Sequence, residues 1–108
     1  MMREPRMSMY YDWNGIPMAR AAWARKIEDA AYVRVLETTL SGGKWVSTVW
    51  LGLDHRFDGK GPPLIFETMV FPGEGEWAGL DVCRYSTLAE AEAGHASMVA
   101  KWQVKRSP

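Results

Sequence analysis

Cysteine is almost missing from this chain: Cys83 is the only one. No disulfide can therefore close within one molecule, and no cysteine-based zinc cluster can form within it. That scarcity is the pattern of a reducing cytoplasm. An excess of charge is missing too, since 13 Lys and Arg face 13 Asp and Glu. Binding to bulk nucleic acid normally needs a basic surplus, so that class is excluded, although a local basic pocket stays open. No apolar run approaches the roughly 18 residues that a membrane span requires. The opening "MMREPRMSMYYDW" has no apolar core of a secretory signal. We therefore expect neither secretion nor a membrane partner.

Catalytic signatures are equally scarce. There is no G-x-S-x-G elbow, and the serines Ser47, Ser86 and Ser97 have no evident base partner in the sequence. Cys83 lies mid-strand beside Val82, and no paired carboxylates stand out. "DGKGPP" (58–63) has glycines and a lysine but not Walker spacing, and two prolines stand where a helix N-terminus would follow. The expectation is a binding protein with no cofactor, not an enzyme.

What is present is a chain of 108 residues, one domain by length, with 47% apolar and 24% charged residues. Six Trp and seven Met are a heavy load for that length. Much of that mass must be core, but some of it can line a pocket or a contact between subunits. Residues 1–8 read as a flexible arm and 9–105 as one α+β domain.

The order of elements reads β-α-β-β-β-β-α: an antiparallel sheet of four to five strands with two helices. "MYYDW" is a short aromatic strand leading into the turn signal Asn14-Gly15. Met18, Ala22, Trp23 and Ile27 recur at helical spacing. Tyr32–Leu40, Lys44–Leu53, Leu64–Phe71 and Leu80–Tyr85 read as strands, separated by Ser-Gly-Gly, a long loop and a Pro-Gly break. Leu64–Phe71 is so apolar that it reads as a central strand covered on both sides. Thr87-Leu88-Ala89-Glu90 is a capping box opening the last helix. Along that helix Leu88, Ala91, His95, Met98, Val99 and Trp102 form one stripe. His95 there is expected to be a core histidine bonded to a carbonyl. Gly94 beside it disfavours helix by about 1 kcal/mol, which implies close packing against a strand.

Two clusters carry candidate chemistry. His55 between Asp54 and Asp58 offers metal-type ligands, yet the spacing is poor for zinc and the other histidine is 40 positions away. A polar hairpin tip is the better reading, and no metal is expected. Glu67 interrupts the most apolar strand and needs a donor, with Arg84 and Arg34 as candidates. The pair is either structural, or it holds an arginine ready for a ligand anion.

Four stretches then carry a resemblance: "YYDWNGIPM", "ARKIEDAAYVRVLETTL", "KWVSTVWLGLDHRFDGKGPPLIFETMVF" and "RYSTLAEAEAGHASMV". Together they resemble a family of small proteins of tailed bacteriophages and prophages, over about residues 9–102. The chain is further similar to the phage anti-Thoeris sponge proteins, small oligomers that trap a signalling nucleotide without degrading it. That similarity implies a non-enzymatic homo-oligomer sequestering an ADP-ribose-derived or cyclic oligonucleotide signal in the cytoplasm of an infected bacterium, countering antiphage defence. It implies that Phe57 stacks on a base and Arg84 binds the diphosphate, with His55, Arg56, Glu67 and Tyr85 completing the ligand-binding set. The alternative is an accessory protein that binds a host or phage protein through an aromatic surface.

Overall fold

The structure, a computed structural model, describes residues 9–103. The expected flexible arm and the basic C-terminal end lie outside the described residues. Within them, the aromatic segment near the start does not form a strand. Tyr10 and Tyr11 make isolated bridges to Leu53 and Pro17. The Asp12 carboxylate instead accepts the backbone N–H groups of Asn14 and Ile16, each at 2.9 Å, and Gly15 supplies a φ of 77°. Such side-chain bonds compete with a ladder and win here.

Helix α1 covers Arg20–Ile27, and α2 covers Ala30–Val33. Tyr32 and Val33, expected to begin a strand, belong to α2 because Asp29 caps it, accepting the Ala31 N–H at 3.1 Å. The sheet is β1 (Arg34–Thr39), β2 (Trp45–Trp50), β3 (Phe66–Phe71) and β4 (Asp81–Tyr85), followed by α3 (Leu88–Trp102). Its strands run antiparallel in the order β1-β2-β3-β4. The architecture is α+β as expected, with four strands and three helices among the described residues.

Local chemistry explains the punctuation. Gly42 and Gly43, at φ 92° and 95°, turn β1 into β2. Thr87 and Glu90 close the expected capping box at the start of α3.

α3 lies on one face of the sheet. Val46, Thr48 and Trp50 of β2 and Phe66, Thr68 and Val70 of β3 point toward it and are buried. Trp50, Phe66, Ile65, Tyr11 and Ala91 form one core cluster; Leu40, Val46, Val70 and Met98 form another. Gly94 is required, since a Cβ there would overlap the Tyr85 ring. The opposite face carries Trp45, Ser47 and Val49 of β2 beside Glu67, Met69 and Phe71 of β3. The expectation that β3 is covered on both sides is therefore corrected. α3 covers one side, and on the other Glu67 and Met69 remain partly exposed.

Candidate functional site

Beneath α3 a chain of hydroxyls runs across the sheet through one imidazole. The Thr38 hydroxyl lies 2.8 Å from His95 Nε2, and the Thr48 hydroxyl 2.7 Å from His95 Nδ1. The Thr48 and Thr68 hydroxyls are 2.6 Å apart. His95 is thus a core histidine, but it bonds threonines where a carbonyl was expected. Hydroxyls can donate or accept, so both ring nitrogens are satisfied whichever carries the proton. Burial holds the His95 pKa below its ordinary value. Burial raises the Tyr85 phenol, an effect opposed by a hydrogen-bonding contribution from Thr68 and reinforced by the Cys83 thiol. This network closes on itself under the helix, and Thr48, Thr68 and His95 are buried. It has the form of a structural seam.

The loop between β2 and β3 accounts for the His-Asp cluster. Asp54 is buried, and its carboxylate accepts the backbone N–H of Arg56 at 2.8 Å and of Leu64 at 2.9 Å. One side chain thus pins both ends of the loop. His55 Nδ1–H donates to the Leu53 carbonyl at 2.8 Å, and Arg56 Nε–H donates to the Pro62 carbonyl at 2.7 Å. Phe57 projects from the tip, 85% exposed, its ring 5.9 Å from that of His55. Among the described residues no group of three His, Cys, Asp or Glu is placed to hold a metal.

Glu67 finds Arg84, not Arg34: Arg84 Nε–H donates to Glu67 Oε2 at 2.9 Å. Their strands pair them directly. Arg34 turns to Glu37 at 3.1 Å. Both pairs sit on the face away from α3. The six residues expected to bind a ligand are therefore distributed, not convergent. His55, Arg56 and Phe57 occupy the long loop, Glu67 and Arg84 the open sheet face, and Tyr85 the face packed on Gly94 of α3. Alternation along β4 puts neighbours Arg84 and Tyr85 on opposite sides.

The residues that do converge are others. A recess of about 270 Å³ opens on the uncovered face, with Ser47 between Trp45 and Val49 on β2, and Glu67, Met69 and Phe71 beside them on β3. Ala30 and Val33 of α2, Arg34 and Glu37 of β1, and Trp77 from the β3–β4 loop complete it. A second hollow of about 800 Å³ shares Arg34, Glu37, Trp45 and Trp77 with the first, and continues over Gly42, Gly43 and the 72–75 segment. Trp45 stacks on Phe71 at 5.2 Å with an interplanar angle of 30°. Trp77 stands edge-on to both, at 6.4 Å and 5.9 Å, and is 74% exposed. No family model, curated protein or solved structure matches this chain.

Chemically the trough is aromatic and close to charge-neutral. Its two hollows are lined by one arginine, Arg34, and three glutamates, Glu37, Glu67 and Glu74. Arg84 balances Glu67 and Arg34 balances Glu37, which leaves Glu74 with no ion pair among the described residues. The alternation of β2 is visible in sequence as Trp45-x-Ser47-x-Val49. Which of its faces α3 would cover is not visible, because that depends on the bond from Thr48 to His95.

Proposed function

We propose that this chain is a non-enzymatic binding protein that docks a host or phage protein on the open face of its sheet. The observation that carries this is the aromatic trough of Trp45, Phe71 and Trp77. An indole 74% exposed at the mouth of an apolar recess is characteristic of an anchor for a partner. The setting implied by the sequence resemblance is the cytoplasm of an infected bacterium. The test is a photo-crosslinking residue in place of Leu80, itself an exposed apolar residue beside the trough. Cross-links are formed in infected cells and the captured protein is identified by mass. One dominant partner is expected, lost when Ser47→Arg fills the recess. Capture unaffected by that substitution would overturn the reading.

A second reading, sequestration of an ADP-ribose-derived or cyclic oligonucleotide signal, is favoured by one observation. The two hollows adjoin and together have room for a nucleotide, with indole faces available for stacking. Against it, both guanidiniums of the face are already engaged by carboxylates. Calorimetric titration with cyclic ADP-ribose variants and cyclic di- and trinucleotides separates the two. Binding of any of these at the trough, read from the Trp77 indole, favours the nucleotide reading.

A further inference from the structure

Ser47 is the most informative residue of the open face. It is only 7% exposed, it lines the smaller recess, and its hydroxyl has no hydrogen-bond partner among the described residues. A buried hydroxyl without a partner is uncommon, because water is lost and nothing replaces it. Compare Thr48, the next residue: its hydroxyl reaches both His95 and Thr68. On the face that α3 covers the buried hydroxyls are paired. On the other face, one buried hydroxyl has no partner among the described residues.

We propose that the recess over Ser47 receives the guanidinium of an arginine on the partner protein. This rests on the docking reading above and names the chemistry of the occupant. Ser47 at the floor of the recess can donate or accept, and a lining of one arginine and three glutamates, with that arginine already paired, favours a group that brings N–H donors. It must also be planar, to lie along the aromatic wall of Trp45, Phe71 and Trp77. A guanidinium is both: its five N–H donors lie in one plane and its face stacks on indole. Charge points the same way. Arg34 and Arg84 are already neutralised, so an incoming anion finds no uncommitted cation among the described residues of the face, whereas an incoming cation finds Glu74, without an ion pair among the described residues, lining the adjoining hollow. Size agrees as well. The recess of about 270 Å³ accommodates one side chain, and the hollow of about 800 Å³ beside it leaves room for the flanking segment.

Three substitutions leave the fold intact on this account. Ser47→Ala removes only the unpaired hydroxyl, Glu74→Gln only the unpaired charge, and Trp77→Ala an exposed ring. The probe is a ten-residue peptide of alternating glycine and arginine, titrated against the whole chain with the indole N–H resonances as readout. Its matched control carries citrulline, which keeps the shape and loses the charge; a lysine version keeps the charge and loses the plane. The arginine peptide should shift the Trp45 and Trp77 signals. The citrulline and lysine peptides should bind about tenfold more weakly or worse, as loss of a charge-assisted or planar contact implies. Ser47→Ala and Glu74→Gln should each weaken the arginine peptide several-fold.

Equal binding of the citrulline peptide, or no effect of Ser47→Ala, overturns the proposal. So does tighter binding of lysine, or of a cyclic dinucleotide at the same indoles. Sedimentation that finds a dimer abolished by Ser47→Arg assigns the face to a second copy and likewise overturns it. A neutral aromatic peptide that binds in a Trp77-dependent way, with the arginine peptide silent, keeps the docking face and overturns only the guanidinium. If the arginine peptide is silent and the Leu80 cross-linker captures no partner, both fall.

Discussion

The two faces of one four-stranded sheet differ in how they settle their polar groups. Toward α3, the seam Thr38, His95, Thr48 and Thr68 is closed, each hydroxyl matched within 2.8 Å. Toward the open side, and among the described residues, Ser47 is buried and unmatched, Trp77 is exposed, and the charged groups are matched in two ion pairs, Arg84 with Glu67 and Arg34 with Glu37. A face whose groups are all satisfied is finished by folding. On the docking reading proposed above, a face with a buried unmatched hydroxyl and an exposed indole is finished by a partner. Substitutions on the two sides should therefore separate stability from binding.

The largest losses belong to the helix side. Trp50 is fully buried, and its Nε1–H donates to the Tyr11 carbonyl at 3.0 Å. Trp50→Ala should cost about 4 kcal/mol in chemical denaturation, from lost burial, a cavity and an orphaned carbonyl. Gly94→Val acts at the same interface by overpacking, since any Cβ meets the Tyr85 ring. It should cost about 3 kcal/mol or prevent docking of α3. A loss below about 1 kcal/mol for Trp50→Ala would mean that α3 does not cover this face.

His95 tests the seam through pH. Its pKa is lowered in the folded state by burial, against an ordinary value of 6.5 in the unfolded chain. The unfolded state therefore binds the proton more readily. The neutral ring contributes its full stability above about pH 6.5. That stability is lost as pH falls through the lower folded value. Denaturation midpoints measured from pH 8 to pH 5 should fall below pH 6.5, and His95→Gln should remove that dependence. In the same assay His95→Ala should cost about 2–3 kcal/mol at pH 8, by leaving Thr38 unpaired above a cavity. A midpoint flat across this range in the parent chain would remove the seam from the account.

Much of this architecture could be read in the sequence, for identifiable reasons. Strand alternation, the Gly42-Gly43 turn and the Thr87–Glu90 box are local signals, and each appears where expected. Gly94 betrayed its tight packing because a mid-helix glycine is disfavoured unless space demands it. Two local readings failed where a side chain captured the backbone: Asp12 turned an expected strand into a loop, and Asp29 capped α2 through Tyr32. The site was far less legible. Adjacent positions 84 and 85 look equally available in a string of letters, yet pleating sends them to opposite faces. Trp45, Ser47 and Trp77 come together only once β1–β4 are aligned and α3 has chosen its side. That choice rests on contacts nearly fifty positions apart, such as Thr48 with His95.

On the open side the effects should shrink. Arg84 is 40% exposed, but its removal leaves Glu67, 14% exposed, without its donor, so Arg84→Ala should cost about 1–2 kcal/mol, shrinking in molar salt. A loss of several kcal/mol would mean the pair is a core element and the face is more closed than described.

Smallest of all should be Trp77→Ala. The ring meets Trp45 and Phe71 only edge-on, and about three quarters of the residue faces solvent. Truncation therefore removes little that the fold has already buried, and stability should change by no more than about 0.5 kcal/mol. Binding at the trough should nevertheless be abolished, because the exposed ring is the part of the aromatic wall that a partner would cover. The contrast with Trp50 is the decisive one, since the two residues are chemically identical. A Trp50 variant that loses binding does so by unfolding, so its binding and melting curves must move together. A Trp77 variant should lose binding while its melting curve stays in place. If Trp77→Ala instead melts like Trp50→Ala, the loop belongs to the core and the open face is not a binding surface.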